Sequence, residues 1–227
     1  MADEFTRELA GSYYTVALQN FLTDVYVSET PAQELALAGG LEAEMPQIQI
    51  SGLDGQLIRV LLRMIGAKRV VEIGTLAGYS AAWIAESLPS DGHLFTIEAD
   101  PKHAAVARKS LSEGGLGEKV TVLDGFGNDV LPTLSDQAPF DAVFVDADKG
   151  SIPGYMAWAA KHLRTGGLVL VDNAFLFGYL TDREPEDESY KTVIAAVRRF
   201  HAELAEHFDA APIPTPQGLA IGLKRGW

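Results

Sequence analysis

Cysteine is absent from the 227-residue chain, so disulfides, iron–sulfur clusters and cysteine–zinc sites are excluded. Basic residues are few: 18 Lys and Arg stand against 31 Asp and Glu, a formal net charge of −13. Nucleic-acid binding needs basic surface to neutralise phosphates, so no nucleic-acid partner is expected. The five histidines are scattered, with no close pair resembling a zinc site. No apolar run approaches membrane-spanning length, and the acidic start Met1-Ala2-Asp3-Glu4-Phe5 has no apolar signal core. No membrane partner is expected, and the chain is expected to be cytoplasmic. Internal repeats and low-complexity segments are also missing.

One further absence is local. Val70-Val71-Glu72-Ile73 is an apolar run carrying an acid, followed by Gly74-Thr75-Leu76-Ala77-Gly78-Tyr79-Ser80. A buried parallel strand hands over to a helix in this way in nucleotide-binding α/β domains. The pattern is Glu-x-Gly-x-x-x-Gly, however, and lacks the G-x-G-x-x-G that brings a pyrophosphate onto a helix N-terminus. On this stretch alone, an ordinary strand-turn-helix and a cofactor loop both remain open. Glu72 would repel phosphates but could accept a hydrogen bond from an ammonium group. Ser80 could help bind a carboxylate where the helix dipole favours an anion. Both suit S-adenosylmethionine, which carries an amino acid and no phosphate.

What is present fits one domain of 1–227, with a helical extension over 1–50 and an α/β core over 51–227. In the extension, Tyr13, Tyr14, Ala17, Leu18, Phe21 and Val25 fall at helical spacing. Thr30-Pro31 can start a second helix and Gly39-Gly40 can break it. Packing is the favoured role; a lid or a dimer contact is the alternative. Ser51 can cap a helix running to Gly66. Strands are expected from Lys68, over His93–Glu98, Lys119–Leu123, Phe140–Asp146 and Gly167–Asp172. Helices are expected from Asp100-Pro101, over Tyr155–Leu163 and along Val193, Val197, Phe200, Leu204 and Phe208. Extended pieces around Ala211–Ile213 and Leu219–Leu223 close the chain. This alternation predicts a doubly wound, mostly parallel sheet with helices on both faces.

Glu98 closes the second strand about two dozen residues after Gly74, where such a site expects an acid for the ribose hydroxyls. A plain surface acid at a strand end is the competing reading. Asp146 ends one apolar strand, while Asp172 and Asn173 end the next. These are the carboxyl ends of strands, where α/β sheets bind ligands. Three oxygen donors and no soft ligand suit a hard cation such as Mg²⁺. The competing reading is that the acids only cap the following helices.

With these stretches in place the chain resembles the cation-dependent O-methyltransferases of the catechol and caffeoyl-CoA type, including bacterial members. The likeness rests on Glu72-Ile73-Gly74-Thr75, Gly78-Tyr79-Ser80, Ile97-Glu98, Phe140-Asp141, Val145-Asp146-Ala147-Asp148-Lys149, Gly166-Gly167 and Val171-Asp172-Asn173. It covers about Ile48 to the C-terminus and is specific in combination. It implies a Rossmann-like, seven-stranded fold whose last strand runs antiparallel. It also implies Asp146, Asp172 and Asn173 as ligands of Mg²⁺ (or Mn²⁺ or Ca²⁺), and catalytic roles for Lys149 and Asp146. Implied contacts of S-adenosylmethionine are Ile48, Ile50, Glu72, Gly74, Thr75, Tyr79, Ser80, Glu98, Ala99, Phe126, Gly127 and Asp146. A homodimer is implied as well. The chain departs from the family pattern at Gly125-Phe126-Gly127-Asn128, at Ala174-Phe175-Leu176-Phe177-Gly178 and at Pro216-Gln217-Gly218.

The expected reaction is methylation of one hydroxyl of a small vicinal dihydroxy-phenol such as a catechol, hydroxycinnamic acid or flavonoid. A metal would hold both oxygens and lower the pKa of one. Lys149 would accept the proton or steady the phenolate; a surface lysine paired with Asp148 is the competing reading. Downstream, Asp182, Glu184, Glu186, Asp187 and Glu188 face only Arg183, a pattern expected to disfavour the phosphates of a coenzyme A ester. Rival functions are a caffeoyl-CoA-type ester methyltransferase, a noncatalytic adenosylmethionine-binding protein and a dehydrogenase.

Overall fold

The computed structural model describes residues 15–180, 188–215 and 217–226. Tyr13, Tyr14, Pro216 and the charged positions 182–187 lie outside the described residues. Alternation at period two builds the centre of the sheet in β1 (Arg69–Ile73), β4 (Phe140–Val145) and β5 (Leu163–Val171). Val70, Ala142, Phe144, Leu168 and Leu170 pack into one core layer. Val71, Ile73, Val143, Val145, Val169 and Val171 pack into the other. Both faces are apolar, as a sheet covered on both sides requires.

These strands join β2 (His93–Glu98), β3 (Val120–Asp124), β6 (Phe208–Ile213) and β7 (Leu219–Lys224) in one seven-stranded sheet, ordered β3-β2-β1-β4-β5-β7-β6. Pairings among β1 to β5 are parallel, and β7 runs antiparallel to both β5 and β6. The α/β architecture and its reversed last strand thus match the sequence reading. One layer is closed by α2 (Pro31–Glu42), α3 (Gly52–Met64), α4 (Tyr79–Ser87) and α5 (Pro101–Glu113). The other is closed by α6 (Ile152–His162) and α7 (Glu188–His207). α1 (Val16–Tyr26) buries none of its residues.

Helix starts follow their caps. Ser51 Oγ accepts from Asp54 N–H at 3.1 Å, and Asp100 Oδ1 accepts from Lys102 N–H at 2.8 Å ahead of Pro101. Three boundaries differ from expectation. Gly39-Gly40 does not break α2, which runs on to Glu42. A side chain at Gly39 would meet Ser110 and Val106, and one at Gly40 would meet Ala77, so these glycines let α2 approach its neighbours. β5 starts at Leu163, already paired with Phe140, and its register shifts before Leu168. Gly166, at φ +70, sits in that irregular stretch, which masked the early start. Phe208, expected on the helix face, opens β6 and remains buried.

Candidate active site

The strand order reverses between β1 and β4, and ligands of open α/β sheets bind at such a switch point. The turn there needs a glycine. Gly74 has φ +96, and a Cβ on it would collide with the carbonyl oxygen of Asp146. Gly74 N–H donates to Ile97 O at 2.9 Å and Asp146 N–H to Ile73 O at 2.8 Å, so the ends of β1, β2 and β4 are tied together. Above them opens a cavity of about 750 Å³. Ile48, Gly74, Thr75, Tyr79, Ser80, Glu98, Ala99, Phe126, Gly127 and Asp146 line it. The charged and titratable side chains of that wall are Glu98, Asp129, Asp146, Asp148 and His103, with the tyrosines Tyr79 and Tyr155; no Lys or Arg is among its lining residues. Two of the expected contacts stand elsewhere: Ile50 is buried in the core layer, and Glu72 is fully buried and outside the cavity lining.

Glu98 knits the loops together. Its Oε2 accepts from the backbone N–H groups of Thr75 at 3.1 Å and Leu76 at 2.8 Å, and its Oε1 accepts from Asp100 N–H at 3.0 Å. The carboxylate is thereby oriented at the cavity edge, with His103 Nδ1 3.8 Å from Oε1. Glu72 is different. Thr96 Oγ1 donates to its Oε2 at 2.5 Å, while Oε1 is buried without a hydrogen-bond partner. Burial pushes its carboxyl up to about 8; the Ser80 and Thr96 hydroxyls offset part of this, and the nearby charges of Asp146 and Glu98 add to it.

The second group sits where β4 and β5 end side by side, fixed by Asp172 N–H donating to Val145 O at 2.9 Å. Lys149 lies on the 3-10 turn after β4, and its Nζ is 3.2 Å from Asp146 Oδ1, with side chains only 15% and 22% exposed. Lys149 is therefore not a surface lysine paired with Asp148. Asp172 is buried and its Oδ1 has no hydrogen-bond partner. Burial first, and then the charge of Asp146, push its carboxyl up to about 7, with Lys149 pulling the other way. Asn173 follows in the left-handed region at φ +51. Among the described residues no three His, Cys, Asp or Glu side chains gather as a metal-binding group. The oxygen donors at the strand ends are two carboxylates and one amide. The orphaned Asp172 oxygen and the all-oxygen set have the chemistry of a hard-cation site.

Several lining residues escaped the sequence reading. Tyr155 of α6 is buried against the cavity and donates its hydroxyl to Asp148 Oδ1 at 2.6 Å. Met45, Pro46, Gln47 and Gln49 also reach the wall, and only the neighbouring Ile48 and Ile50 had marked that segment. Tyr79 donates to Glu29 of the extension at 2.5 Å, a contact across the chain that no local pattern encodes. Asp54, in the first turn of α3, is buried, and its charge raises the Asp172 carboxyl.

The O-methyltransferase family model matches residues 28–224 of the chain. A catechol O-methyltransferase of Mycobacterium tuberculosis is 37% identical over 209 residues, covering 91% of this chain and 90% of that protein. A catechol O-methyltransferase of Niastella koreensis is 37% identical over 190 residues, covering 83% and 84%. Among solved structures, the O-methyltransferase TomG of Streptomyces achromogenes in complex with SAM superposes with a TM-score of 0.83 at 36% identity, covering 92% and 96%.

Proposed function

The chain belongs to the O-methyltransferase family, and on that footing we propose that it moves a methyl group from S-adenosylmethionine to one hydroxyl of a small vicinal dihydroxy-phenol, with a divalent cation. The observation that carries this reading is Asp146. It lines the cofactor-sized cavity and also stands 3.2 Å from Lys149, beside the end of β5 that bears Asp172 and Asn173. One residue thus joins a cofactor wall to an oxygen-donor group. The acidic cavity lining suits a sulfonium cation and would repel the pyrophosphate of a dinucleotide, which weighs against a dehydrogenase.

S-adenosylmethionine supplies an electrophilic methyl on a positively charged sulfur. Asp146, Asp172 and Asn173 would hold the cation, whose chemistry is to lower the pKa of a bound hydroxyl. Glu98, oriented by three backbone donors, offers its remaining lone pairs to ribose hydroxyls. Ser80, at the start of α4 and on the cavity wall, faces the amino-acid end. Lys149 stands beside the acceptor oxygen, where its ammonium steadies the phenolate or, when neutral, takes the proton. Holding the acceptor in line with the methyl contributes much of the rate through positioning.

The same reading takes the protein as a homodimer. Support comes from α1, where Val16, Phe21, Val25 and Tyr26 are all exposed. The acidic run that argued against coenzyme A esters lies mostly outside the described residues, so acceptor choice is best tested directly. The test is a turnover screen with S-adenosylmethionine, Mg²⁺ and a panel of catechols, flavonoids, hydroxycinnamic acids and caffeoyl-CoA. Methylated product from the free diols at the higher kcat/KM supports the proposal. Product from caffeoyl-CoA alone contradicts its substrate class.

A further inference from the structure

The turn that presents Lys149 follows two carboxylates, Asp146 and the adjacent Asp148, and the ammonium meets Asp146. The reason lies in what occupies Asp148. Its Oδ2 accepts from Ser151 N–H at 3.0 Å, which caps the turn Lys149–Ser151. Its Oδ1 accepts from the Tyr155 hydroxyl at 2.6 Å. Each oxygen thus has a donor that fixes its direction, and the Tyr155 bond is the one that holds the carboxylate towards α6. The Tyr155 ring cannot drift. It is buried to 2% exposure, and a Cβ added at Gly127 would approach its edge to 2.6 Å, so backbone and ring are in tight contact there. Gly127 itself is fixed against Ile73 at the end of β1.

We propose that Tyr155 is a positioning residue that selects the partner of Lys149: by occupying Asp148, it leaves the ammonium to Asp146 and so directs it towards the acceptor site. This rests on the catalytic reading of Lys149 given above. Without the phenol hydroxyl, Asp148 loses one of its two donors, and its carboxylate is no longer held towards α6 and can turn to Lys149. The ammonium then divides between two carboxylates, only one of which, Asp146, stands at the end of β4 beside Asp172 and Asn173.

The test uses the full chain with Tyr155→Phe, which keeps the ring packed on Gly127 and removes only the hydroxyl. The expected result is a fall in kcat of about tenfold, the kinetic equivalent of one hydrogen bond to a charged group. Calorimetric affinity for S-adenosylmethionine should stay within about twofold of wild type, since the ring surface is kept. Adding Asp148→Asn to that variant removes the competing charge while an amide oxygen can still cap Ser151. It should return kcat to within about threefold of wild type, a coupling that a merely structural role would not produce. Wild-type kcat in Tyr155→Phe, a weaker cofactor affinity at unchanged kcat, or a loss that Asp148→Asn fails to rescue would each overturn the proposal. Full turnover by Lys149→Met would instead overturn the catalytic reading on which it rests.

Discussion

Lys149 Nζ lies 3.2 Å from Asp146 Oδ1, and the pair is mostly withdrawn from water. Water screens such a pair less than it would at the surface, so the ammonium has a defined position instead of sampling a flexible stem. Lys149→Met is therefore expected to lower kcat by at least about a hundredfold, the range of a positioned acid–base group. Cofactor affinity should change little, because Lys149 is absent from the cavity wall. Steady-state kinetics together with calorimetry separate the two effects. A variant retaining wild-type kcat would remove Lys149 from the chemistry.

Glu98→Ala should act on binding. The variant loses the acceptor proposed for the ribose and also frees the Thr75 and Leu76 amides that shape the loop. Affinity for S-adenosylmethionine is expected to weaken by about 1–3 kcal/mol. Unchanged affinity by titration calorimetry would exclude Glu98 from the cofactor site.

Stability should depend on pH through Glu72. In the fold its carboxyl is pushed up to about 8, whereas in the unfolded chain it ionises near 4.5. Between those values the folded state holds a proton that the unfolded state has lost. The stabilisation is fully present below the lower value and is lost as pH rises towards the upper one. Asp172, pushed up to about 7, adds a contribution of the same sign. Urea unfolding of the ligand-free protein at pH 5.5 and 7.5 measures this. Glu72→Gln should lose less stability than wild type over that interval, by about 2–3 kcal/mol. Parallel losses in the two proteins would show that Glu72 is ionised throughout.

The exposed apolar residues of α1 lead to an assembly test. Light scattering should give the mass of a dimer across a wide range of concentrations. Phe21→Asp with Tyr26→Asp should shift it to the monomer without loss of cooperative unfolding, since neither side chain is buried. A monomer mass for wild type at every concentration would contradict the homodimer.

Much of the frame was legible because local chemistry specifies it. Val70 packs into one apolar layer and Val71 and Ile73 into the other, Asp100-Pro101 starts a helix through its own cap, and Gly74 takes the positive φ its turn requires. The Asp146–Lys149 spacing also announced itself, because it lies within one turn. What escaped depends on distance along the chain. The start of β5 at Leu163 is set by its pairing with Phe140, which no local propensity encodes. Tyr155 reads as one more apolar position of a helix; its role emerges only when α6 brings its hydroxyl to Asp148. Ile50 was placed at the cofactor by resemblance, but packing turned it into the core while its neighbour Ile48 lines the cavity. Glu29, just before α2, meets Tyr79 only because α2 packs against α4.

The most direct measurement follows methyl transfer from labelled S-adenosylmethionine to catechol before chelation, after exhaustive EDTA treatment, and after return of Mg²⁺. Asp172 carries a buried oxygen beside Asp146 with no hydrogen-bond partner among the described residues, and a hard cation is the partner that its chemistry fits. Transfer should therefore stop with EDTA and resume with Mg²⁺ or Mn²⁺. Asp172→Ala should show little transfer under any of the three conditions. Undiminished O-methylation by protein in which no metal is detectable would contradict the metal-assisted mechanism.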